Sequence, residues 1–299
     1  RATKLAAAQC VLSPTAGYGK SHLIGRLFKA LRGRATLVYL RPFSDPDSCW
    51  QSILLKTVQE MQFPDSADVE SGAADGTNQL EVFAHGTIIN IYINAFKSGV
   101  IHIEDRDAVL RSLKRLTLDR MKAKPEWVRG LSQKKRQLAD LLSRQFRQAE
   151  LTLNASPLSW LSVLIQTAYF PEDVNRRLVC LDWLKGGSVE TAEAEAIGIN
   201  ANDRLSGSAN MKQVNRACKN RMFDLCSLGG YYRPFVFCFD QTENYGRDPE
   251  LAKTLGGVIQ ELVDFSRNAM VVMTVNQQPW TGSLEPHWEE AHRDRLGRP

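Results

Sequence analysis

The sequence lacks the features of membrane proteins, disulfide-rich secreted proteins and zinc-binding modules. No apolar run approaches the roughly 18 to 20 residues that a membrane-spanning helix requires. The six cysteines are widely scattered and include no C-x-x-C pair, which argues against a zinc site and against a disulfide framework. No signal peptide follows Arg1, where the chain begins. We therefore expect an excerpt of a longer protein from a reducing cytoplasm, with no membrane partner.

Internal repeats, low-complexity tracts and a strong excess of one charge are also missing. Hydrophobic residues make up 43% and charged residues 24% of the 299 residues, close to the globular average. This composition excludes disorder throughout, and the length is sufficient for one large domain or two ordinary ones. The net charge of +5 permits contact with nucleic acid but does not require it.

Apolar runs typical of buried strands alternate with amphipathic helices at both ends of the chain. The predicted strands cover 9–12, 36–40, 235–239 and 270–275. Helices are predicted from about Lys20 to Leu31, at 49–61 and at 249–265, with a short helix near Glu289. Strands that alternate with helices in this way predict the α/β class, with a parallel sheet flanked by helices.

The middle of the chain has the periodicity of helices and not of a second sheet. Helices are predicted at 131–151, 158–170 and 173–184, whereas β-branched residues at 88–93 leave that segment open between strand and helix. We therefore expect three parts: a first part of the core at 1–62, a loop and large helical insertion at 63–228, and a second part of the core at 229–299.

The segment from Pro14 to Ser21 resembles the phosphate-binding loop G-x-x-x-x-G-K-[ST], except that Pro14 replaces the first glycine. Glycines let backbone N–H groups turn toward phosphate oxygens, and the positive end of the following helix adds to their attraction. Lys20 would reach the phosphates and Ser21 would ligate Mg²⁺. The alternative is a glycine turn that merely precedes a helix. The candidate nucleotide-binding residues are Thr15, Ala16, Gly17, Tyr18, Gly19, Lys20, Ser21 and His22.

Asp240 directly follows the buried strand at 235–239. A buried carboxylate at a strand end is costly unless a cation or hydrogen bonds compensate it, so Asp240 is the candidate partner of Ser21 at the metal. The Asp-Gln-x-Glu order from Asp240 to Glu243 resembles that of STAND-type NTPases, and this resemblance makes Glu243 the candidate general base. Gln241 cannot accept a proton but could orient water. A purely structural Asp240 is the alternative.

Four further residues are candidates for contact with the terminal phosphate. Asn276 ends the strand after Asp240 and is similar to the polar sensor residue of AAA+ ATPases, with Thr274 as the second choice. Arg293 and Arg295 lie one helix later, at a position similar to that of the AAA+ arginine finger, and an arginine there could neutralise charge on the transferred phosphoryl group. The alternatives are an ordinary polar strand end and a solvated, charged helix end.

These motifs, over 10–43 and 231–298, are similar to those of AAA+ and STAND-like P-loop ATPases. The resemblance implies ATP and Mg²⁺ as cofactors, a sensor strand between the loop strand and the acid-bearing strand, and a homo-oligomer with an arginine finger supplied in trans. It also implies an effector protein as partner, as in bacterial phage-defence ATPases such as the RADAR type. Lys20 and Asp240 are 220 positions apart, so a helical insertion is needed. The segment around Trp183 bears a weaker likeness to this group, and a helical core residue is the favoured interpretation of Trp183.

Two other functions stay open. A DNA-dependent loader of the replication-initiator type fits the mildly basic balance, and a scaffold gated by nucleotide with little hydrolysis fits Pro14 and Gln241. The basic run at 134–136, continued by Arg144 and Arg147, is either a solvated helix face or a nucleic-acid contact. ATP is preferred over GTP only because no N-K-x-D signature is found.

Overall fold

The computed structural model describes residues 6–64, 77–100, 106–170 and 172–296. Two compact units divide the chain: Arg1–Gly76 with Asn210–Pro299, called the sheet unit below, and Thr77–Ala209, called the helical unit. The strands are β1 (Ala7–Ser13), β2 (Thr36–Leu40), β3 (Phe235–Phe239) and β4 (Ala269–Asn276). The helices are α1 (Lys20–Leu31), α2 (Cys49–Met61), α3 (Gln79–Lys97), α4 (Arg106–Lys114), α5 (Leu118–Lys122), α6 (Pro125–Gln133), α7 (Lys135–Gln148), α8 (Pro157–Tyr169), α9 (Val174–Leu184), α10 (Thr191–Ile197), α11 (Met211–Leu228), α12 (Pro249–Phe265), α13 (Gln277–Pro279) and α14 (Glu290–Asp294).

The four strands form one parallel sheet in the order β1-β4-β3-β2. Every residue of β3 is buried, as expected of a central strand that is covered on both faces. The register pairs Ser13 with Asn276 and Leu40 with Phe239, so the carboxyl ends of the strands share one edge. The predicted α/β class, with a parallel sheet flanked by helices, is confirmed.

Helices cover the sheet because the strand side chains that point to either face are apolar. On one face, Ile24 of α1 packs in a buried cluster with Val236, Cys238 and Val272. The other strand residues, such as the buried Phe237, point to the opposite face, since side chains alternate along a strand. Among the remaining helices of this unit, α2 contacts β2 and α12 contacts β4.

Helix α11 belongs to the sheet unit, although the insertion is predicted from the sequence to extend to residue 228. It packs against α2. Its Asn215 accepts hydrogen bonds at Oδ1 from the backbone amides of Trp50 (2.8 Å) and Gln51 (3.1 Å). These are amides in the first turn of α2, where no side chain of Ser48 caps the helix. A distant asparagine thus satisfies donors that a helix N-terminus leaves unpaired.

The helical unit contains α3 to α10, with α8 in contact with α3, α7 and α9. The segment at 88–93 lies inside helix α3, because a helix that is buried on nearly all sides overrides the strand preference of β-branched residues. Trp183 is 1% exposed and packs edge to face on Trp160, with ring centroids 5.0 Å apart. Its indole Nε1 donates to the carbonyl of Asp203 at 2.9 Å, which confirms the interpretation of Trp183 as a core residue.

Two expectations differ from the structure or lie outside it. The single helix predicted at 131–151 is two helices, α6 and α7, which are separated at Lys134. The loop predicted from residue 63 lies mostly outside the described residues. Among the helices that the structure describes, none is both long enough and apolar enough to cross a bilayer.

Candidate functional site

The candidate site lies at the edge of the sheet where all four parallel strands end. The loop at 14–19 follows β1 and leads into α1, and Asp240 follows β3. A short 3₁₀ helix, Thr242–Arg247, carries Glu243. Asn276 is the last residue of β4. In parallel sheets this edge is the usual position of ligand sites, because the connecting loops converge there.

The loop after β1 has the backbone conformation that its two glycines permit. Gly17 and Gly19 have φ of +88° and +80°, a left-handed region that residues with a Cβ rarely adopt. Pro14 is not among the described residues with positive φ, so proline fits the position where the motif has its first glycine. Within the described chain, no protein acceptor bonds the backbone amides from Ala16 to Ser21. The first turn of α1 also contains no acidic residue.

Asp240 is the most highly connected residue of the site. Its carboxylate is 1% exposed and accepts hydrogen bonds from three hydroxyl groups. Thr274 Oγ1 donates to Oδ1 at 2.7 Å, while Ser21 Oγ and Tyr39 OH each donate to Oδ2 at 2.7 Å. These donors come from β4, α1 and β2, so one carboxylate joins three elements of the sheet unit.

The hydrogen bonds keep Asp240 ionised. Burial alone would raise its pKa, but the bonds from Thr274, Ser21 and Tyr39, with the backbone amide of Gln241, hold that pKa below its ordinary value. Burial, together with the bond and the charge of Asp240, raises the pKa of Tyr39 to about 12, and Arg41 opposes that rise. At neutral pH the pair is therefore a phenol that donates to a carboxylate.

Lys20, Asn276 and Glu243 form a second cluster beside the first. Lys20 Nζ donates to Asn276 Oδ1 and lies 3.7 Å from Glu243 Oε1. Asn276 Nδ2 donates to the same Glu243 oxygen at 3.3 Å. Glu243 Oε2 is buried and has no hydrogen-bond partner in the described chain. A buried carboxylate oxygen without a protein donor requires water or a ligand.

The segment around Glu243 is anchored to strand β4 and to the chain that follows β2. Thr242 Oγ1 donates to the carbonyl of Thr274 at 2.7 Å, and Tyr245 OH accepts from the amide of Phe43 at 3.0 Å. Gln241 is exposed, with left-handed φ of 57° and ψ of 34°. Glu243 is therefore held at the site by its neighbours, whereas Gln241 is exposed.

Ser21 and Asp240 fit a magnesium ion in chemistry and in spacing. Magnesium takes oxygen ligands in an octahedron at 2.0–2.1 Å, which separates adjacent ligands by about 2.9 Å. Ser21 Oγ and Asp240 Oδ2 are 2.7 Å apart. Among the described residues, no group of three or more His, Cys, Asp or Glu side chains could hold a metal. Two protein oxygens suit Mg²⁺, which usually keeps several waters and binds substrate phosphates.

Other predicted residues are not part of these two clusters. Arg295 forms a two-pronged ion pair with Asp264, with Nε–Oδ1 of 2.7 Å and Nη2–Oδ2 of 3.2 Å. Arg293 Nη1 lies 3.8 Å from Glu285 Oε1. Thr15, Ala16 and Tyr18 of the loop and His22 of α1 are exposed, and their side chains bond no member of either cluster among the described residues.

Sequence reasoning missed Tyr39 and assigned Thr274 a different part. Thr274 bonds Asp240 and not Lys20, so Asn276 alone is placed beside the lysine. The only signal for Tyr39 is its position, one residue before the end of a strand that borders the Asp240 strand. That position becomes informative only once the strand order is known.

We predict that Thr274→Val lowers the free energy of unfolding by about 1.5–3 kcal/mol at pH 7, because it removes a donor to a buried, charged carboxylate. The lowered pKa of Asp240 stabilises the fold above the ordinary carboxyl pKa of 3.8, and this contribution is lost as the pH falls through the lower folded value. The difference between wild type and variant should therefore shrink in acid. Urea denaturation from pH 7 to below pH 3.8 measures it.

The matched control is Thr281→Val. Thr281 is exposed, and its hydroxyl bonds only carbonyls of its own turn, so the change should stay within about 0.5 kcal/mol at every pH. Equal losses for the two variants would contradict the role assigned to Thr274.

No family model matches the chain, and comparisons with curated proteins and with solved structures likewise found no match.

Proposed function

We propose that this chain is a Mg²⁺-dependent ATPase of the AAA+ or STAND-like P-loop type. The observation that carries the proposal is the convergence of Lys20 and Ser21 with Asp240, Glu243 and Asn276 in two adjoining hydrogen-bonded clusters. The strand order supports it, because β4 lies between β1 and β3. This is the order that the resemblance implies for the sensor strand.

The loop amides and Lys20 are the groups suited to bind a triphosphate. Unpaired N–H groups at the start of α1 attract phosphate oxygens. Lys20 rests on Asn276 and near Glu243, and both contacts are ones that a phosphate oxygen can replace. Magnesium, when bound by Ser21 and Asp240 with the nucleotide, would neutralise phosphate charge. Asp240 is kept ionised for this role by its three hydroxyl donors.

Glu243 is the group suited to accept a proton from water. Its Oε2 has no hydrogen-bond partner among the described residues, while Oε1 accepts from Asn276 and lies 3.7 Å from Lys20 Nζ. In the proposed reaction, water attacks the γ-phosphorus and the bond to the β-phosphate oxygen breaks. The proton of the attacking water passes to Glu243, and the electron pair leaves with ADP.

The output is proposed to be mechanical or regulatory. Copies of the chain would assemble in the cytoplasm, with Arg293 or Arg295 contributing in trans, and nucleotide would gate an effector protein in a defence-like complex. All six cysteines are buried free thiols, which agrees with a reducing compartment. A nucleotide-gated scaffold is the second candidate, favoured by the pairing of Arg295 with Asp264 and by Gln241 in place of a second acid.

We predict that Lys20→Ala weakens ATP binding roughly ten- to a hundredfold, because a charged hydrogen bond to phosphate is lost. Isothermal titration calorimetry with MgATP, and again with EDTA, measures the affinity and its magnesium dependence. Lys29→Ala is the control, since Lys29 is an exposed lysine in the last turn of the same helix. A wild-type chain that binds no nucleotide at millimolar ATP, or equal binding by both variants, contradicts the proposal.

We predict that Glu243→Gln retains ATP binding but lowers turnover by about 10²- to 10⁴-fold, since the amide keeps the shape and cannot take a proton. Phosphate release under single-turnover conditions reports the rate. Gln241→Asn should hydrolyse ATP at the wild-type rate, because Gln241 is exposed and asparagine tolerates its left-handed backbone. If wild type and Glu243→Gln both retain ATP without hydrolysis, the scaffold replaces the enzyme.

A further inference from the structure

Positive charge is concentrated in one part of the helical unit. Residues 106–147, which include α4 to α7, contain thirteen Lys and Arg against four Asp and Glu, a formal charge of +9. The chain as a whole carries +5, so the remainder is net negative at −4. The net positive charge of this segment of 42 residues therefore exceeds the net charge of the whole chain.

Most of these cations are solvent-exposed and have no acidic partner. Nine are exposed and form no ion pair within the described residues: Arg111, Lys114, Arg115, Arg120, Lys124, Arg129, Arg136, Arg144 and Arg147. We call these nine side chains the basic surface. Two other lysines of the segment are used internally. Lys122 pairs with Glu81 at 2.8 Å, and Lys135 Nζ donates to Ser162 Oγ at 2.8 Å, which removes Lys135 from the predicted basic run.

Helix α7 shows how the basic surface is built. Arg136, Arg144 and Arg147 are exposed, whereas Leu138 and Leu142 are fully buried. At 100° per residue the three arginines fall within one quarter of the helix circumference, opposite the apolar face. The buried leucines fix the orientation of the helix, so the arginines are presented outward as a row.

An exposed aromatic ring lies beside one of these cations. Trp127 of α6 is 42% exposed, and Lys124 Nζ lies 4.1 Å from its ring centroid. Trp127 is the only large hydrophobic side chain of α4 to α7 that is exposed in the described residues. A membrane-binding face would require several such side chains. A single exposed ring beside a cation suits base stacking.

The kind of cation distinguishes between anionic partners. Seven of the nine exposed cations are arginines. The planar guanidinium matches phosphate oxygens with two parallel hydrogen bonds, and it stacks on flat rings, which lysine does not. Phosphates at regular intervals, with bases between them, match both the arginines and Trp127.

We propose that the basic surface of α4 to α7 binds single-stranded nucleic acid, with arginines on phosphates and a base stacked on Trp127. This site is separate from the residues of the nucleotide cluster, and it does not depend on the proposed ATPase activity.

The test is fluorescence anisotropy with a labelled 20-nucleotide DNA and RNA of mixed sequence, from 50 to 200 mM salt. Arg136, Arg144 and Arg147, all changed to Gln, should reduce the steepness of log affinity against log salt by about 2, since a single strand contributes about 0.7 per phosphate contact. Trp127→Ala should weaken binding roughly tenfold with an unchanged slope. Urea denaturation checks that each variant folds.

The matched control changes Arg176, Arg177 and Arg204 of the same unit to Gln, which removes the same charge elsewhere. Its affinity and slope should stay close to wild type. Equal effects of the two triple variants would reduce the proposal to general electrostatics and overturn it. Absence of binding at 50 mM salt overturns it too, as does tighter binding to polyglutamate or to phosphatidylserine vesicles than to nucleic acid.

Discussion

The buried carboxylate of Asp240 is the constraint on which the carboxyl edge of the sheet depends. An ionised carboxylate removed from water is stable only when charge or hydrogen bonds replace its hydration. Here three hydroxyl groups, from Ser21, Tyr39 and Thr274, replace it at 2.7 Å each. Each hydroxyl belongs to a different element, so the requirement of one side chain holds α1, β2 and β4 in a defined position around the end of β3. The same bonds leave the carboxylate charged, which is the state that a metal ligand needs.

The parallel sheet explains how residues far apart in the chain meet. Lys20 and Asn276 are separated by 256 positions and share a hydrogen bond, because their strands β1 and β4 are neighbours that end at the same edge. Lys20 and Glu243 approach for the same reason, since Glu243 follows the strand next to β4. A cation, two carboxylates and an amide are thereby concentrated beside the loop amides that precede α1, which bond no protein acceptor among the described residues.

Much of this fold is predictable from local sequence, because its central strands and covering helices are bounded by clear signals. The bounds of β2, β3, α2 and α12 agree with the predicted ranges, since each is an apolar or amphipathic run that a polar residue, proline or glycine closes. The partners within the site were less accessible. Tyr39 and Thr274 contact Asp240 only because β2 and β4 flank β3. No local sequence pattern predicts this strand order. Asn215 capping α2 across 165 positions and Lys135 bonding Ser162 are likewise contacts of tertiary structure.

Chain connectivity sets the only covalent routes between the two proposed sites. The helical unit, with its basic surface, is joined to the sheet unit after Gly76 and before Asn210. The first junction comes after α2, and α2 comes after β2 and Arg41 in the chain. The second junction leads into α11, and β3 and Asp240 come after α11. Helices α2 and α11 are packed together and are tied by Asn215. Strands β2 and β3 are paired as well. The Tyr39–Asp240 hydrogen bond therefore joins the ends of the two strands from which the chain leads into and out of the inserted unit by way of α2 and α11.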